Sequence, residues 1–165
     1  MGSYINLTLN LEFDLETPKE IINLFDKKIA GEKWNENDKK VIPFEYDIES
    51  IFETLTSSTH QCLNVFYFQK QEYQSIHSSK GLYYFHLSST TKDGSFYQDG
   101  YFEMIIWLAQ FSPNDRYIGE FHKEESKTVN LLFCESGIVT MKPVKFGKED
   151  VFKLLASDFD MKQPD

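Results

Sequence analysis

Residues 5–13 alternate between apolar and polar at every step. Ile5, Leu7, Leu9, Leu11 and Phe13 fall on one side, and Asn6, Thr8, Asn10 and Glu12 on the other. A period of two with one polar side predicts a half-buried β-strand. The period then changes. Ile21, Ile22, Phe25 and Ile29 recur at helical spacing behind Thr17-Pro18-Lys19-Glu20. In that stretch Thr17 can cap, Pro18 suits the first helical position, and Glu20 completes a capping box. Gly31 follows as the stop, because glycine takes the left-handed conformation that ends a helix without a Cβ penalty.

Glu32 to Pro43 is polar and predicts a surface loop, with Trp34 as its large apolar anchor. Ile48, Ile51, Phe52 and Leu55 predict a short helix within Tyr46–Thr56. Leu63–Tyr73 and Leu82–Ser89 are dense in Phe, Tyr, Val and Leu, and predict two strands of a hairpin joined through Gln74–Gly81. Tyr101–Phe111 is apolar almost throughout and predicts a buried helix that ends before Pro113. The runs Tyr117–Lys123, Thr128–Glu135 and Ile138–Met141 predict a three-stranded meander, with a tight turn at Ser136-Gly137. A last helix is expected over Lys148–Ser157, with Val151, Phe152, Leu154 and Leu155 as its apolar side.

This order of elements predicts an α+β fold: a mainly antiparallel sheet of about six strands with helices packed on it. The first six main elements match a ferredoxin-like, split βαβ core, and the C-terminal strands would extend one edge. At 165 residues the chain is expected to be a single domain over 1–165. An apolar fraction of 41% and an aromatic fraction of 16% supply the buried area that a disordered chain lacks.

Charge narrows the partners. The formal net charge is −9, which repels phosphate backbones, weighs against nucleic acid and suits a basic protein. No run is long enough to span a bilayer and the N-terminus lacks a basic region followed by an apolar one, so a soluble, cytoplasmic protein with no membrane partner is expected. Cys62 and Cys134 sit in apolar neighbourhoods and are expected as buried free thiols, with one disulfide left open for an oxidising compartment.

Chemistry is sparse. Lys80-Gly81-Leu82-Tyr83-Tyr84-Phe85-His86-Leu87 resembles the base-stacking motif of RNA-recognition domains at Lys80, Gly81 and Tyr84. It departs from it at Leu82, Tyr83 and Leu87, and Ile5–Phe13 offers no aromatic on its polar side, so an aromatic core strand is the expectation. His60, His77, His86 and His122 form no i,i+3 or i,i+4 pair, and no HExxH, CxxC or calcium-loop run occurs. Glu120, His122 and Glu124 alternate like a comb that could hold a metal, but a solvated strand face is the simpler reading. Cys134 lies in Leu131-Leu132-Phe133, a setting that leaves a thiol inert, and no GxSxG elbow or glycine-rich phosphate cradle is present. Neither a catalytic residue, a metal nor a cofactor is expected.

Surface recognition remains. If the paired strands bury Phe66, Phe68, Tyr83 and Phe85, parity turns Tyr67, Tyr84 and His86 to the opposite face as a candidate binding surface. A non-enzymatic interaction protein is therefore expected, with a protein partner or a second copy of itself, as in a homodimer. An acidic inhibitor of the immunity type, blocking a basic toxin, is one concrete version. The alternative is a small-ligand or enzymatic pocket under the aromatic face near His86. Tyr117-Ile118-Gly119-Glu120-Phe121 with Glu124-Glu125 and Leu131–Phe133 resembles stretches of small bacterial proteins, a resemblance that supplies no mechanism.

Overall fold

A computed structural model describes residues 3–43, 48–57, 64–71, 82–92, 94, 96, 100–112 and 115–145. Six strands pair into one antiparallel sheet: β1 (Tyr4–Asp14), β2 (Val65–Gln71), β3 (Leu82–Lys92), β4 (Arg116–Lys123), β5 (Thr128–Glu135) and β6 (Ile138–Lys145). Their order across the sheet is β2-β3-β1-β4-β5-β6. Helices α1 (Lys19–Ile29), α2 (Glu36–Lys39) and α3 (Ile48–Thr56) lie between β1 and β2 in the chain, and α4 (Tyr101–Ala109) lies between β3 and β4. The class is α+β. Since β3 sits between β1 and β2, and β1 between β3 and β4, nothing conflicts with a ferredoxin-like core, and β5 and β6 extend the β4 edge.

The alternation read in β1 decides which side carries the core. Ile5, Leu7, Leu9, Leu11 and Phe13 are all buried, in one core cluster with apolar residues of α1, α3 and α4. Two sets of rings fill the space. Phe25 of α1 lies 5.9 Å from Phe13, 5.7 Å from Phe52, 5.2 Å from Phe68 and 5.3 Å from Phe85, ring centre to ring centre. Phe96, together with Tyr101 and Phe102 at the start of α4 and Phe121 of β4, forms the second set. Aromatic pairs at these separations add to the area each ring removes from water.

Several sequence expectations need correction. Thr17 does not cap α1: the helix begins from Pro18 with no side-chain cap, and the Thr17 hydroxyl instead faces Asp14 Oδ1 at 3.4 Å. The turn that leaves β1 has drawn Thr17 inward. The other end behaves as read, with Gly31 at φ +74° and the bonds Gly31 N to Lys28 O and Glu32 N to Lys27 O closing the helix. The polar stretch 32–43 contains α2, a helical turn with no apolar stripe to betray it. Asn35 accepts from Asn37 N and Asp38 N, while Asp38 accepts from Asn35 N at 2.7 Å, a reciprocal cap built with Asp where Glu is commoner. Lys27 Nζ, 2.7 Å from Asp38, holds that carboxyl below its usual range. Trp34 anchors the stretch as expected, 4% exposed, its Nε1 donating to Leu24 O at 2.8 Å.

Strands β3 and β6 outrun their sequence patterns. Thr90, Thr91 and Lys92 lie beyond the expected strand Leu82–Ser89 but pair with Asn6, Ile5 and Tyr4; Lys142 to Lys145 pair with Leu131 to Thr128. A neighbouring strand recruits polar residues that alone carry no strand signal. Pro143 is tolerated because β6 is an edge strand of the described sheet, where a missing N–H need not face a partner. At the β5–β6 turn, Ser136 (φ +51°) and Gly137 (φ +77°) both adopt the left-handed conformation that suits a two-residue hairpin. The expected helix Lys148–Ser157, the connection Gln74–Gly81 and Cys62 lie outside the described residues. No described helix is long and apolar enough to cross a membrane.

Candidate functional site

The other side of the sheet carries none of the described helices. Pairing fixes which side chains meet there. Tyr67, His86 and Asn10 align in one row across β2, β3 and β1, and Gln69, Tyr84 and Glu12 align in the next. Phe68 and Phe85, one residue away, are buried on the helical side, with Phe66 and Tyr83 half-buried against it. Tyr67 is 47% exposed and Tyr84 38%. The three residues that strand parity grouped together do share one place: a concavity of about 350 Å³ whose lining also includes Asn10, Glu12, Arg116 and Tyr117.

Tyr117 reaches this side through an irregularity in β4. The register against β5 shifts between Tyr117 and Gly119, and Gly119 has φ +151°. In a regular strand Tyr117 and Glu120, three residues apart, would point to opposite faces. The bulge turns both to the same face, and the Tyr117 hydroxyl donates to Glu120 Oε2 at 2.9 Å. On its far side the Tyr117 ring meets Phe133 edge-on at 5.8 Å.

Hydrogen bonds lock the lining. His86 Nδ1 is 2.7 Å from Asn10 Oδ1. The Tyr84 hydroxyl donates to Glu12, and that bond, with some burial, raises the phenol pKa above its ordinary value. Glu12 also receives Arg116 Nη1 at 2.8 Å, while Arg116 Nε and Nη2 are buried without a hydrogen-bond partner. Tyr67 donates its hydroxyl to Gln69. Further along β1, Thr90 Oγ1 donates to Asn6 Oδ1 at 2.7 Å, and Asn6 Nδ2 lies 3.4 Å from His122 Nε2. The polar strip that runs down β1 is thus bonded to strands on both sides.

Burial first, and then the Glu120 carboxylate, pushes the Tyr117 pKa up to about 12 from 10.0. A phenol with a raised folded pKa contributes stability below pH ~10, and that contribution is lost as pH rises from ~10 to ~12, because only the unfolded chain ionises freely in that window. An alkaline titration followed by phenolate absorbance is expected to show one tyrosine ionising near the top of that range. Tyr117→Phe should remove that step and leave the others; a step that persists would assign it elsewhere.

The remaining candidates scatter. Glu120 and His122 share the helix-free face, but Glu124 lies in the turn after β4, and no group of three His, Cys, Asp or Glu among the described residues is placed to hold a metal. Cys134 is 1% exposed on the helical side, its Sγ 3.6 Å from Ala109 O. His60 and His77 lie outside the described residues. Within the concavity the arrangement offers aromatic faces and fixed polar groups. Glu12 is committed to Tyr84 and Arg116, and His86 to Asn10.

Asn10, Glu12, Arg116 and Tyr117 are lining residues that sequence reasoning did not assign. Asn10 and Glu12 were visible as the polar side of β1, but their position beside Tyr84 and His86 needs the β1–β3 register. Tyr117 needed the β4 bulge. Its signal was Gly119, a glycine inside a strand pattern. Comparisons of the chain with protein-family models, curated proteins and solved structures found no match.

Proposed function

We propose that this chain is a non-enzymatic interaction module of the cytoplasm that recognises a basic partner protein through the helix-free face of its sheet. An inhibitor of the immunity type is one concrete form. The observation that carries the reading is the concavity bordered by Tyr67, Tyr84 and Tyr117, each more than a third exposed on a face that no described helix covers. Tyrosine is enriched where proteins meet, because it brings a large rigid contact area with a polar tip and few rotatable bonds. A net charge of −9 favours a basic partner and speeds encounter with it.

A small-ligand site near His86 is the second reading. It is favoured by the volume, since about 350 Å³ falls at the lower end of the range that ligand pockets occupy.

Affinity capture at low ionic strength from the source cells, run in parallel with wild-type chain and Tyr67→Ala/Tyr117→Ala, separates these. The expected result is a basic protein held by the wild type, released by salt and lost from the double variant, whose circular dichroism is unchanged. Equal capture by both chains would remove the sheet face from the interaction. A solution mass of twice 19.4 kDa that reverts in the double variant would instead assign the face to a second copy.

A further inference from the structure

Among the described residues, Glu12 and Arg116 are the one carboxylate and the one guanidinium that line the concavity, and they meet at 2.8 Å. Their charges offset, so the lining is close to neutral although the chain as a whole carries −9. Its hydrogen-bonding groups are of both kinds. Glu12 takes Nη1 of Arg116, which leaves Nε and Nη2 buried without a partner. Those two nitrogens point N–H bonds in parallel from one edge of the planar guanidinium, an arrangement made to hold an acceptor from two points. Buried donors are nearly always paired in folded proteins, so this pair calls for an explanation. Asn10 places its Oδ1 against His86 Nδ1 and keeps its amide hydrogens for another acceptor. Because Asn10 Oδ1 only accepts, a neutral His86 carries its proton on Nδ1 and presents a lone pair at Nε2. Tyr67, Tyr84 and Tyr117 border these groups with rings that are each more than a third exposed.

We infer that the concavity binds an uncharged, flat heterocycle of the lactam type, a ring in which a carbonyl stands beside an N–H. The inference rests on the second reading of this face, a small-ligand site near His86, and adds the class of ligand. The carbonyl oxygen has two lone pairs for the N–H pair of Arg116, and the ring N–H suits the lone pair of His86 Nε2. Both polar atoms lie in the ring plane, which leaves the ring faces to the tyrosines. Arg116 Nε and Nη2 lie beneath the surface, and the carbonyl reaches them by a shift of the exposed Tyr84 and Tyr117 side chains. An anion would also take the N–H pair, but it would stand close to Glu12 in an acidic chain. A cation would stand close to Arg116. A volume of about 350 Å³ accommodates a fused two-ring body.

The test is an NMR titration of the full chain with four flat two-ring probes: carbostyril (the lactam), naphthoate, naphthamidine and naphthalene. Carbostyril is expected to bind about tenfold more tightly than the other three. Arg116→Lys keeps the charge beside Glu12 but has no parallel N–H pair. It should weaken carbostyril by about tenfold and leave naphthalene within about twofold. N-methylcarbostyril, which lacks the N–H, examines the wild-type chain with no substitution and is expected to bind about tenfold more weakly than carbostyril. Equal binding of the two, or of carbostyril and naphthalene, would overturn the lactam assignment. Naphthoate binding best, and losing that advantage in Arg116→Lys, would overturn it in favour of an anion while keeping a ligand site. Binding of none of the probes would overturn the small-ligand reading together with the inference.

Discussion

Gly119→Ala is expected to destabilise the fold by more than about 4 kcal/mol, a large part of the ~5–15 kcal/mol that holds an ordinary domain together. A Cβ at this position would stand 2.0 Å from Thr8 O and 3.0 Å from Leu9 Cα. Both atoms belong to the backbone of β1, so no side chain can rotate away and the strands themselves must separate. The φ of +151° adds strain of about 1–3 kcal/mol for a residue bearing a Cβ. Position 119 pairs with Leu9 at the end of the β1–β4 ladder, beside the bulge that aims Tyr117. Urea unfolding monitored by circular dichroism is the measurement. A midpoint within experimental error of the wild type would mean that β4 does not approach β1 as described.

Phe25→Ala is expected to cost ~3–5 kcal/mol, with the unfolding slope unchanged. Phe25 is fully buried and its ring is shared among strands and helix, touching Phe13 of β1, Phe52 of α3, Phe68 of β2 and Phe85 of β3. Removing it deletes the transfer energy of the ring and leaves a cavity that the rigid neighbouring rings cannot close. Phe25→Leu should recover a good part of the loss by refilling that space. Tyr67→Ala supplies the contrast, since its side chain is nearly half exposed and its removal should cost less than about 1 kcal/mol. If Phe25→Ala and Tyr67→Ala proved equally mild, α1 would not be packed on the sheet.

The strict alternation of Ile5–Phe13 was sufficient to identify the central strand and its buried side, because a single slip would have exposed all five apolar residues. Parity alone likewise grouped Tyr67, Tyr84 and His86, since β2 and β3 each have one plainly apolar side. Thr90–Lys92 and Lys142–Lys145 were hidden because their strand conformation is imposed by neighbours and not by their own side chains. α2 was hidden because a four-residue helix held by Asn35 and Asp38 needs no apolar stripe. The lining of the concavity was half visible. Its β2 and β3 members follow from alternation, whereas Tyr117 depends on a one-residue irregularity whose position no periodicity marks.

That the described helices crowd onto one side has a practical corollary. Cohesion is concentrated in Leu9, Phe13, Phe68 and Phe85, while Tyr67, Tyr84, Asn10 and His86 project from the same strands in the other direction. Mutational drift on the projecting side can proceed with little risk of unfolding. The molecule is therefore built as an interchangeable display panel, on which specificity can be rewritten residue by residue while the frame beneath stays the same.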